Sequence, residues 1–168
     1  APDGYPAATV IELPVTRFVA LSTTYLPPLV AWDLLDRLVA IDTGQFVNAP
    51  EVQALLTAGT LAEVGTGSEI NVETAIELEP DLIMAYASGI ADFDSHPRLQ
   101  AAGLDVALNA EFLELTPLGR AEWAKFIALF FNAEADANRW YDDVATRYAE
   151  LVTLAQSAAT RPTVITQT

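Results

Sequence analysis

Short apolar runs alternate along the chain with stretches of helical spacing, and prolines or glycines mark most of the boundaries. Arg17-Phe18-Val19-Ala20-Leu21 has the length and apolar character of a buried strand. Leu38 to Ile41, Asp81 to Tyr86 and Leu104 to Leu108 repeat that pattern, and Leu61 to Val64 is a shorter addition. Between these runs the spacing predicts helices over 26–36, with Pro27 and Pro28 in the first turn, and over 50–58, opened by Pro50 and ended by Gly59. A third helix over 72–79 carries Val72, Ala75, Ile76 and Leu78 on one face and Glu73, Glu77 and Glu79 on the other, until Pro80 stops it. Asp94-Ser95-His96-Pro97 reads as an N-cap with proline in the first turn of a helix that stops at Gly103. Strands alternating with helices in this way predict an α/β fold, a mostly parallel sheet flanked by helices with right-handed crossovers.

After Pro117 the pattern changes. An apolar helix over 118–131 carries Trp123, Phe126, Ile127, Phe130 and Phe131, and Asn132 breaks it. A much longer helix follows over 133–159, with Tyr141, Val144, Tyr148, Leu151, Val152 and Ala155 spaced three and four apart. At ~1.5 Å per residue such a helix is roughly 40 Å long, more than the sheet is deep. Arg161-Pro162 ends it, and Thr163 to Thr166 reads as the first strand of a further unit. The expected organisation is an α/β lobe over 1–131, a long connecting helix over 132–160, and the start of a second lobe over 161–168.

Charge narrows the function. With 23 acidic and 8 basic residues the net charge is −15, which disfavours nucleic acid and anionic membrane surfaces, since both need clustered Lys and Arg. No apolar run approaches the ~20 residues of a membrane-spanning helix. There is no cysteine, so disulfides, thiolate catalysis and cysteine zinc sites are excluded together. His96 is the only histidine, and its place in the Ser-His-Pro start of a helix explains it without a metal. Gly65-Thr66-Gly67-Ser68-Glu69 lacks the lysine and the third glycine of phosphate loops, and reads as a turn. No nucleophile elbow and no Ser-His-Asp set can be assembled, so no catalytic residue is assigned.

Five segments lie just past predicted strands: Ser22–Tyr25, Thr43–Phe46, Gly65–Ser68, Tyr86–Gly89 and Asn109–Phe112. In an open parallel sheet these loops share the carboxyl edge, where such folds bind ligands. The candidate binding residues are Ser22, Thr23, Thr24, Tyr25, Gly44, Phe46, Thr66, Gly67, Tyr86, Ser88 and Phe112. Hydroxyls, glycines and aromatic rings in that mixture suit a bulky, partly apolar ligand held by a few hydrogen bonds. The plain alternative is that these are ordinary loops.

The order of the elements resembles the N-terminal lobe of the substrate-binding proteins of ABC importers for iron-siderophores and cobalamin. The resemblance rests on Arg17 to Ser22 followed by a helix and Asp36 to Ile41, and on Val64-Gly65 leading into Asn71-Val72-Glu73 and then Glu79-Pro80-Asp81-Leu82-Ile83. It continues through Leu99 to Val106, and from Gly119 along the long helix to Arg161-Pro162-Thr163-Val164. It covers about Val10 to Thr168. It implies two α/β lobes joined by one long helix, with the ligand held between them, and it departs from the family in that the second lobe is missing. It implies capture of a ferric siderophore or related metal chelate, no resident cofactor, and a bacterial periplasmic or cell-surface-anchored location. It also implies delivery to an ABC transporter permease, docked through the glutamate of the Asn-hydrophobic-Glu motif, here Glu73; the alternative is that Glu73 serves only the helix start. None of the eight Lys and Arg residues lies in the five loops, which points to a neutral or mildly charged hydroxamate or a corrinoid, with haem a lesser option. The rivals from other classes are an α/β enzyme whose catalytic groups lie in the missing part and an acidic interaction module with no small ligand.

Overall fold

Among the described residues five strands form one sheet in which every neighbouring pair runs parallel. The computed structural model describes residues 8–160 together with Pro162 and Thr163. The strands are β1 (Phe18–Ala20), β2 (Leu38–Ile41), β3 (Ala62–Glu63), β4 (Leu82–Ala85) and β5 (Val106–Leu108), in the order β3-β2-β1-β4-β5. The helices are α1 (Leu26–Ala31), α2 (Pro50–Thr57), α3 (Val72–Glu77), α4 (His96–Ala101), α5 (Pro117–Leu129) and α6 (Glu134–Ser157).

The central strands are apolar throughout because helices cover both faces of the sheet. Phe18 and Ala20 of β1 and Leu82 and Met84 of β4 face one layer, shared with Leu29 of α1, Val52 of α2 and Ile127 of α5. Val19, Ile83 and Ala85 face the other, with Ala75 of α3 and Leu99 of α4. In β2 the alternation breaks: Leu38 and Ile41 both join the first layer. A register shift between β1 and β2 accounts for this, Phe18 pairing with Leu38 but Val19 with Ala40.

Boundaries differ from the sequence pattern where backbone geometry decides. Helix 26–36 ends at Ala31: Asp33 takes a left-handed φ of 56°, and the Leu34 amide donates back to the Leu29 carbonyl at 2.8 Å. The remainder becomes a 3-10 turn over Leu35–Arg37. Helix 72–79 ends at Glu77, with Glu79 at φ 44° and the Arg17 guanidinium capping the Leu78 carbonyl. Strand 104–108 begins only at Val106, because the Leu104 amide is used to close the end of α4 on the Leu99 carbonyl. Strand 61–64 shrinks to the two residues of an edge strand. The helix expected over 118–131 runs from Pro117 to Leu129, and Asn132, at φ 55°, turns the chain into α6.

α6 spans 24 residues, roughly 36 Å at ~1.5 Å each. Its first half packs on α5, where Ala137 is buried and the Lys125 ammonium lies 3.9 Å from the centre of the Tyr141 ring. Along its second half the apolar stripe is uncovered, with Leu151 63% and Leu154 67% exposed. Most of the strand expected over 163–166 falls on residues 164–166, outside the described residues; Thr163 itself is not in a strand.

Candidate ligand-binding site

The strand order reverses between β1 and β4, at the carboxyl edge of the sheet. The chain lays β1, β2 and β3 outward to one side, then crosses back to set β4 and β5 on the other. Loops leaving the carboxyl ends of β1 and β4 therefore diverge, and a crevice opens between them. A cavity of about 420 Å³ occupies that crevice.

Each wall is held by local bonding. After β1, the Ser22 hydroxyl accepts the Thr24 amide and pairs with the Thr24 hydroxyl at 2.9 Å, closing a 3-10 turn over Thr23–Tyr25. That turn drives the Tyr25 ring down to the cavity floor, where it is 1% exposed and its hydroxyl reaches the Asn109 carbonyl at 3.5 Å. Burial and the neighbouring Glu111 carboxylate push the Tyr25 phenol far above its ordinary pKa, so it stays a neutral donor. After β5, the buried Asn109 accepts the Glu111 amide at 3.1 Å and shapes the turn that presents Glu111 and Phe112.

The loop after β4 is tied by Asp94. One of its carboxylate oxygens accepts the Ser88 amide at 2.7 Å and the Ser88 hydroxyl at 2.8 Å; the other accepts the Gly89 amide at 2.9 Å. These donors hold the Asp94 carboxyl below the usual carboxylate range, the Ser88 amide foremost. A depressed folded-state value means the contribution is complete above the ordinary carboxylate pKa and is lost as pH falls through the lowered one. Asp94→Asn removes acceptor capacity from this loop, and amide exchange at Ser88 and Gly89 is expected to accelerate by about tenfold or more, since the bonds to charged acceptors are the stronger ones. Exchange at the wild-type rate would show that the loop holds itself.

Ser22, Thr24, Tyr25, Tyr86, Ser88 and Phe112 come together on this cavity. Thr23, Gly44, Phe46, Thr66 and Gly67 do not line it. The loops after β2 and β3 rise one and two strands away from the crevice, and Phe46 lies 63% exposed there. Gly44 instead donates its amide to Glu63. Gly67 serves packing. At φ +56° it sits so close to the next loop that a Cβ would stand 2.6 Å from the Asp92 carbonyl oxygen. The Ser68 amide bonds that same carbonyl at 3.0 Å, so this turn buttresses the loop carrying Tyr86, Ser88 and Phe93 from behind.

Two lining residues, Phe93 and Glu111, were not among the expected ones. Glu111 sits inside the segment past β5, where its charge was the available signal. Asp94 was hidden by its resemblance to a helix cap; neither its side chain nor that of Ser95 caps α4, and Ser95 bonds the Gly67 carbonyl instead. A smaller cavity of about 130 Å³ lies behind Tyr25, sharing Thr24, Tyr25 and Glu111 and walled by Trp123, Ile127 and Trp140. Among the described residues no cluster of three or more His, Cys, Asp or Glu is placed to hold a metal ion. No described helix is long and apolar enough to cross a membrane.

Glu73 is exposed in the first turn of α3, on the same edge of the sheet as the cavity. Its helix start is already capped by Asn71, whose side chain accepts the Thr74 amide at 3.1 Å.

Comparison with known proteins gives the same architecture. An uncharacterized lipoprotein of Methanocaldococcus jannaschii is 29% identical over 141 residues, 80% of this chain and 34% of the relative. A periplasmic heme binding protein from Pseudomonas aeruginosa superposes with a TM-score of 0.65 at 23% identity, over 88% of this chain and 50% of that one. An ABC-type Fe3+-hydroxamate transport system protein from Saccharomonospora viridis superposes at 0.59 with 20% identity, over 82% of this chain and 50% of its own. The chain thus spans about half the length of these structures and about a third of that lipoprotein. The sequence profile described as "Periplasmic binding protein" matches residues 18–168, and with the parallel sheet and the long final helix this places the chain in the periplasmic binding protein family.

Proposed function

We propose that this chain is the N-terminal lobe of an extracytoplasmic substrate-binding component of an ABC importer, and that it captures a ferric siderophore or related metal chelate. The observation that carries the reading is the open cavity at the sheet's switch point, with an aromatic lining, the three aliphatic hydroxyls of Ser22, Thr24 and Ser88, and the phenols of Tyr25 and Tyr86. Solved proteins of the same fold are described as binding heme or serving Fe3+-hydroxamate transport, and a lipoprotein relative supports a location outside the cytoplasmic membrane. Cobalamin and haem are the alternative cargoes. The uncovered apolar stripe of α6 supports a second lobe, which would supply the other half of the binding surface, and Glu73 is the proposed contact with the permease.

Titrating the full-length protein with ferric hydroxamates, haem and cobalamin, followed by tryptophan fluorescence, tests the reading. Saturable quenching by a ferric chelate is the expected result, and no response to any of the three classes would sink it. Tyr86 is only partly buried at the cavity wall. Tyr86→Ala is therefore expected to weaken chelate binding roughly tenfold with little change in melting temperature, because it removes a rigid aromatic contact rather than core packing. Unchanged affinity would remove Tyr86 from the site.

A further inference from the structure

The cavity has an unbalanced charge. Among the described residues its lining includes one carboxylate, Glu111, and no cation. Among the described residues no hydrogen bond or ion pair engages that carboxylate, although its own backbone amide is held by Asn109. Arg120 is the nearby basic residue; it shares only the smaller cavity with Glu111. Its guanidinium donates at 3.0 Å to the Glu114 carbonyl and at 3.5 Å to the Phe112 carbonyl, which fixes the turn rather than neutralising Glu111. The same cavity is lined by Tyr25, Tyr86, Phe93 and Phe112.

A carboxylate without a hydrogen-bond or ion-pair partner among the described residues, in a cavity it shares with aromatic rings, is matched by a cation, which engages both elements at once. An anion in the same place would meet an uncompensated like charge. The net charge of −15 works in the same direction, concentrating cations and slowing the approach of anions. We infer that Glu111 makes this site selective for a ligand that carries positive charge on a partly apolar body, such as a metal chelate with a protonated amine. This rests on the ligand-binding reading above but makes a separate claim about charge.

Two probe sets separate the claims in the full-length protein. One is the ferric complex of a linear trihydroxamate with a free terminal amine, against its N-acetylated, uncharged form. The other is benzyltrimethylammonium, benzyl alcohol and benzoate, read by amide shifts of Ser88 and Phe93. The amine-bearing complex is expected to bind about tenfold tighter than the acetylated one, and benzyltrimethylammonium tighter than either other aromatic. Glu111→Gln, which keeps the shape and breaks no bond of that side chain, should reduce the preference to within about twofold at an unchanged melting temperature. Glu111→Lys should reverse it in favour of benzoate. Binding of benzyltrimethylammonium that depends on Glu111, with neither chelate bound, would refute the chelate reading and uphold the charge selectivity. Failure of the cation to bind, equal binding of the neutral or anionic partner, or a preference that survives Glu111→Gln would overturn the inference.

Discussion

Replacing Glu73 with lysine is expected to abolish uptake by the full-length protein while leaving its affinity for a metal chelate unchanged. Two features of the structure make these outcomes separable. Glu73 is exposed and is not among the residues lining the cavity, so the substitution does not touch ligand. The start of α3 is capped by Asn71 rather than by Glu73, so loss of the carboxylate costs at most ~0.3–1 kcal/mol through the helix dipole. Docking is different: a glutamate that meets arginines on a permease becomes, on reversal, a like charge pressed against them, which costs several times more. Transport assayed in cells or in reconstituted vesicles, alongside chelate titration and a melting curve, decides the matter. Normal uptake with Glu73→Lys would confine the residue to its helix end. Glu77, one turn further along, is expected to matter less.

Phe18→Ala is expected to destabilise the protein by about 3–5 kcal/mol. Phe18 is fully buried on the central strand and meets Phe131 edge to face, with ring centroids 5.3 Å apart. Against a total stability of about 5–15 kcal/mol this loss is large enough to unfold a sizeable fraction of molecules near body temperature. The cost exceeds simple transfer because β1 is bonded on both sides and cannot collapse into the void. Phe18→Leu, closer in volume, should cost under about 1.5 kcal/mol. Chemical denaturation measures both. A loss below that smaller figure for alanine would mean the Phe18–Phe131 contact does not anchor the helical layer to the sheet.

The fold class was legible because buried parallel strands leave a plain record. Phe18-Val19-Ala20, Leu82 to Ala85 and their neighbours are apolar runs bounded by breakers, and no other element accounts for them. Element ends were less legible. Asp33 and Glu79 adopt left-handed backbone without being glycine, so the usual stop signal is missing. The five segments were legible as loops past strand ends, yet only some of their residues face the cavity. Which ones do depends on strand order, and hydrophobic periodicity carries no information about order.

Taken alone, the amino-acid sequence determined the elements, their parallel pairing and the sign of the surface charge, because these follow from local spacing and composition. The placement of β4 beside β1, and hence the crevice at Tyr25 and Tyr86, was decided by tertiary structure. So was the role of Asp94, whose partners Ser88 and Gly89 are near in sequence but are aimed at it only by the folded loop. Gly67 reads as a binding residue in the chain and is a packing residue in the fold, because a neighbouring carbonyl occupies the space where its Cβ would stand. Glu111 gained its meaning last: a single carboxylate is unremarked among 23 acidic residues, until folding sets it in the lining of an aromatic cavity with no ion pair among the described residues.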